Sequence, residues 1–144
     1  MTHPAPAPDM ADLARAVRAL RAVVQHQPAT VEVGRVCDIV TTATGSVGEA
    51  LLDRIDTGPG GCGPVIAHDR YLCWLVPPGT AARGWSHPAA RCTGEGQFTL
   101  PPTTHTAAPY PYWVRRDTGR RVDAGLLHAA LDEADPAGTS RPAP

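Results

Sequence analysis

Four arginines crowd one short stretch of this chain, Arg115, Arg116, Arg120 and Arg121 in "PYPYWVRRDTGRRV", just after the aromatic pair Tyr112 and Trp113. Guanidinium groups beside aromatic faces suit phosphate contact and base stacking. The competing reading is a solvated hairpin turn in which Asp117 takes up part of the charge. A second stretch, "GEGQFTLPPTTH" (residues 94–105), reads as an extended segment that stops at Pro101 and Pro102, with a polar pair and His105 beyond. Cys62, His68, Cys73 and Cys92 are metal-ligand types, but their spacings match no zinc knuckle or ribbon. Cys73 lies between apolar neighbours and reads as a small buried hydrophobe. No nucleophile-elbow pattern is present, and Ser46 falls in a capping position, so a serine or cysteine hydrolase is not expected.

Composition limits what these residues can do. The formal net charge is -1, so no global field draws in nucleic acid or an anionic membrane, and any such contact must be local. All 13 basic residues are arginine, so composition alone accounts for arginine at any one position. The four cysteines form no CxxC pair, no signal-peptide pattern opens the chain, and no apolar run approaches the ~18 residues of a membrane span. A cytoplasmic protein with reduced thiols and no membrane partner is expected. A chain of 144 residues with 42% hydrophobic residues suits one domain with one core. The Pro/Ala-rich ends, residues 1–9 and 135–144, read as disordered tails around a single domain at 10–134.

The elements that must position the candidates follow from periodicity. In "DMADLARAVRALRAVVQ", Leu13, Val17, Leu20 and Val24 recur at helical spacing, with Asp9 as N-cap and Pro28 as terminator. "RVCDIVTTA" reads as a strand with Val36, Ile39 and Val40 as its apolar members. Ser46-x-x-Glu49 reads as a capping box opening a helix whose inner face is Val47, Leu51 and Ile55. "TGPGGCGP" is a plain loop, since it lacks the GK[ST] ending of a phosphate cradle. In "VIAHDRYLCWLVPP" two apolar runs flank His68, Asp69 and Arg70, which predicts a hairpin. Its second strand is apolar on both faces and should therefore be central and covered twice. A strand over residues 97–100, another around Tyr110, Tyr112, Trp113 and Val114, and a helix capped by Asp123 with Leu127, Ala130 and Leu131 inside complete the series. The fold class is α+β: a mixed or antiparallel sheet with helices packed on it.

The order of three landmarks resembles a known family. An acid-bearing strand (Asp38) precedes a helix; next comes a strand ending in "VPPG" (residues 76–79); then a glycine-flanked strand ends in Pro-Pro-x-x-His and leads to the aromatic "YPYWV". This is similar to the primase–polymerase domain of bacterial replicons and mobile elements, especially its small actinobacterial members, over residues 34–131. The resemblance implies a primase–polymerase-like fold and nucleotidyl transfer through two divalent metals held by acids. The family's paired acids map to Asp38 and Val40, its histidine to Tyr71 and its third acid to Ala90, so the catalytic groups are depleted. Within the resemblance, Thr103, Thr104 and His105 would line the rim of a substrate groove; otherwise the prolines end an edge strand and His105 is an exposed loop residue.

The expectation is a degenerate, non-catalytic domain with Asp38 as its residual family acid and no metal or other cofactor. DNA or a nucleotide is the candidate partner, through Arg115, Arg116, Arg120, Arg121, Trp113 and His105. The alternatives are a protein-interaction domain that keeps only the fold, and an active nucleotidyltransferase binding divalent metal through relocated acids such as Asp69 and Glu95.

Overall fold

The structure, a computed structural model, describes residues 10–13, 15–16 and 26–134. Residues 10–13 and 15–16 are helical and exposed, Leu13 included; the predicted Asp9 cap, the positions Val17, Leu20 and Val24, and both tails lie outside the described residues. The elements are β1 (Ala29–Glu32), β2 (Asp38–Ala43), α1 (Gly45–Asp56), β3 (Val65–His68), β4 (Tyr71–Val76), β5 (Arg91–Thr93), β6 (Gln97–Leu100), β7 (Tyr112–Arg115) and α2 (Ala124–Ala134). Five strands form an antiparallel sheet in the order β5-β2-β4-β3-β7, and β1 pairs with β6 as a separate two-stranded ribbon. The class is α+β. No helix among the described residues is long and apolar enough to cross a membrane.

β4 is central because its sequence leaves no face for water. Leu72, Trp74 and Val76 point to one side, where they meet Leu51 and Ile55 of α1 and Leu127, Ala130 and Leu131 of α2. Cys73 and Leu75 point to the other side, where Val33, Ile39, Ile66 and Trp113 pack with Phe98 and Leu100 of the ribbon. Alternate side chains of a strand face opposite ways, so an unbroken apolar run requires two covers. The β3–β4 connection is the expected hairpin; His68 pairs with Tyr71 as part of β3, so the turn has two residues, with Asp69 at φ 52°. A left-handed first turn residue matches the right-handed twist of the flanking strands.

Several local expectations change. The capping box is absent: α1 starts at Gly45, its N-cap is Thr44, and no side chain caps it. Thr44 instead donates its hydroxyl to the Arg70 carbonyl, so the hairpin turn holds the helix start. Val36 is not in β2 but in an exposed turn whose amides return to the Glu32 carbonyl. β1 and β5 were not foreseen, being only four and three residues long and largely exposed. The Asp123 cap is as expected: Oδ1 accepts the Leu126 N–H at 2.9 Å.

One buried polar pair secures the helix-side core. Trp74 is fully buried and its indole Nε1 donates to Thr42 Oγ1 at 2.8 Å, across the β2–β4 ladder. Thr42→Val keeps the shape but leaves that donor unmatched. It should lower unfolding free energy by about 1–3 kcal/mol, seen as a lower urea midpoint with unchanged slope. An unchanged midpoint would show that the bond contributes nothing.

Candidate nucleic-acid interface

The Pro-Pro-x-x-His turn is built from the end of the ribbon. The β1–β6 ladder closes at the pair Ala29 and Leu100, because Pro101 has no N–H to continue it. Pro101 is buried, and its carbonyl accepts the Trp113 indole N–H at 3.0 Å. His105 then organises the turn: its N–H donates to the Pro102 carbonyl at 2.9 Å, and its own carbonyl accepts the Trp113 N–H at 3.0 Å. Its ring Nε2 lies 2.7 Å from the Pro109 carbonyl, which can only accept. Nε2 is therefore the protonated nitrogen, and Nδ1 in the neutral ring is an acceptor. Trp113 is only 3% exposed, so its ring belongs to the core and offers no face for a base.

This turn separates two concavities. On one side is an open groove of about 660 Å³ lined by Pro28, His68, Phe98, Pro101, His105 and Tyr110, among others. Tyr110 is 52% exposed and stacks on Tyr112 with centroids 5.5 Å apart and planes at 18°. On the other side is a polar pocket of about 370 Å³ lined by Thr103, Thr104, Trp113, Arg116 and Asp117. His105 thus both holds the turn and lines a groove.

The four arginines do not form a single patch. Arg115 grips Asp56 at the end of α1 as a fork, with Nε at 2.9 and 3.2 Å and Nη2 at 2.5 Å. Arg121 donates to the Val36 carbonyl at 3.3 Å and to Asp117 at 3.4 Å, and Asp117 also accepts the Gly119 N–H at 2.9 Å. These contacts fix the backbone of the turn. Arg116 and Arg120 are exposed and have no acidic partner among the described residues. Arg120 lies across the 57–63 loop so closely that a Cβ on Gly60 would come 2.7 Å from its Nη1. Gly60 has φ 82°, so both space and conformation call for glycine there.

Asp38 sits elsewhere. It shares the helix-facing side of β2 with Val40 and Thr42 and is fully buried. Its Oδ2 accepts the Ala81 N–H at 2.8 Å, and Oδ1 has no protein partner. The carboxyl group therefore fastens the 77–84 loop over the end of the sheet. Ala90 belongs to the same helix-side core, whereas Tyr71 alternates to the ribbon side with Cys73. Asp69 lies in the hairpin turn beyond Tyr71, and Tyr71 itself is five strand steps, or roughly 17 Å, from the Asp38–Val76 pair. Asp38 and Asp69 therefore cannot share an ion. Among the described residues no three His, Cys, Asp or Glu side chains gather in a way that could hold a metal.

A histidine cluster escaped the sequence reading. His87 Nδ1 accepts the Ala89 N–H at 3.0 Å, so its Nε2–H donates to Asp132 Oδ1 at 2.8 Å. His128 Nε2 donates to the Ser86 carbonyl at 2.8 Å, and Trp85 meets its ring edge-on at 5.1 Å. The two imidazoles pin the 85–90 segment to α2. With both ring nitrogens of His87 engaged, the pair acts as a clasp between the 85–90 segment and α2. The spacing His128-x-x-x-Asp132 on one helix face was its only visible signal.

The thiols are protected. Burial pushes Cys73 up to about 11 and, reinforced by Asp56 against an opposing Arg115, does the same for Cys62. Burial and then Asp38 raise Cys92 to about 11. Each raised thiol contributes stability that is fully present below the ordinary value of 9.0 and is lost as pH rises through about 11. The urea midpoint should therefore fall across that window, and less steeply in Cys73→Ala; a flat profile would contradict the burial of these groups. No family model, no curated protein and no solved structure matches this chain.

Proposed function

We propose that the chain is a non-catalytic, primase–polymerase-like domain that binds nucleic acid in replication or mobile-element biology. The observation that carries the reading is the state of Arg116 and Arg120. Both are exposed guanidiniums with no acidic partner among the described residues, and Arg116 borders a polar pocket next to an aromatic groove. A free guanidinium is a planar, permanently charged donor well suited to phosphate oxygens. Arg115 and Arg121 support the turn and do not join the contact. Nucleotidyl transfer is disfavoured, since Asp38 is committed to the Ala81 amide and Asp69 lies at the other end of β4.

With a net charge of -1 the affinity is local and weak. Two phosphate contacts on a single strand give a slope of log K against log salt of roughly -1.4. Fluorescence anisotropy with a labelled single-stranded oligonucleotide should show binding at low salt that fades as salt rises. Arg116→Ala with Arg120→Ala should weaken it and flatten the slope, whereas Arg35→Ala on the exposed turn before β2 should not. No binding at low salt would remove the reading.

A further inference from the structure

We propose that the groove beside His105 receives one unstacked nucleobase of a single strand, whose neighbouring phosphate reaches Arg116; this rests on the binding reading above. The groove's volume of about 660 Å³ lies within the usual range for small-molecule sites. Its walls are flat and mostly apolar: Phe98 on β6, the rings of Pro101 and Pro102, and Tyr110. Tyr110 is held ready, because stacking on Tyr112 fixes its ring while half of the residue faces solvent. His105 is also fixed in orientation by its bond to the Pro109 carbonyl, and its Nδ1 is left as an acceptor for an exocyclic amino group.

Charge complementarity selects a nucleic acid over a purely apolar guest. One turn of chain supplies both sides: Pro101, Pro102 and His105 line the groove, while Thr103 and Thr104 line the pocket that holds Arg116. The pocket's carboxylate, Asp117, is already engaged by the Gly119 N–H and Arg121, which reduces its opposition to a phosphate. A duplex keeps its bases stacked and cannot place one in the groove, so the site is specific for single strands.

The test compares the full chain's binding to a single-stranded DNA 10-mer, the same 10-mer made abasic, and a 10-base-pair duplex. The intact single strand should bind at least roughly ten-fold more tightly than the abasic one. Tyr110→Ala should lose a similar factor while keeping the wild-type circular dichroism spectrum, since half of the residue is exposed and only its stack on Tyr112 is lost; Tyr110→Phe should retain binding. Equal binding of intact and abasic strands, an unaffected Tyr110→Ala, or equal binding of the duplex would each overturn the base site. If those results came with a loss of affinity in the Arg116→Ala/Arg120→Ala variant, the binding module would stand without it. Absence of binding in every arm would overturn both.

Discussion

Six residues, Tyr71–Val76, carry apolar side chains on both faces of one strand, and that surface can leave water only if something covers each side. The requirement places nearly everything else. The two helices take the face with Trp74, and the β1–β6 ribbon takes the face with Cys73 and Leu75. Because the ribbon must reach across the sheet to do this, its end at Pro101 arrives beside Trp113 of β7. The groove is a by-product of that crossing: it opens where the ribbon's end and the 105–111 segment meet the edge of the sheet. The proposed binding surface therefore depends on core burial, not on a dedicated loop.

The same division separates groups that the family resemblance would gather. Asp38, Val40 and Ala90 lie on the helix side, while Tyr71 and the groove lie on the ribbon side. A strand alternates its side chains every residue, so the two sets are kept apart by the thickness of the sheet. Asp38 keeps a purpose, since its buried Oδ2 fastens Ala81, but that purpose is structural.

Elements marked by apolar periodicity could be read directly from the sequence. The double-faced run in β4, the hairpin at Asp69, the inner face of α2 and its Asp123 cap were all legible because each depends on neighbours within a few residues. β1 was not: the alternation in Ala29–Glu32 runs for only four residues directly after Pro28, and the segment becomes a strand because β6 pairs with it from far along the chain. The capping box failed for a related reason. Ser46 and Glu49 have the right spacing, but the contact between Thr44 and Arg70 begins the helix earlier. At the candidate site, the sequence placed four arginines together, and tertiary partners divided them. Asp56 and the Val36 carbonyl, both distant in sequence, occupy Arg115 and Arg121. Trp113 read as an aromatic beside cations, but the Pro101 carbonyl draws it into the core.

The connection between β4 and β5, residues 77–90, is fastened at two distant points: Ala81 to the buried Asp38, and His87 with Ser86 to α2. Surface connections are ordinarily where a chain accepts extra residues at small entropic cost. Here an extra residue at Ala81 or within 86–90 would have to slip against an anchor, whereas the exposed residues 82–84 between the anchors can take one up. Lineages diverging from this fold should vary their lengths away from these two anchors, with the glycine-rich 57–63 loop free to drift only if Arg120 gives up its seat on Gly60.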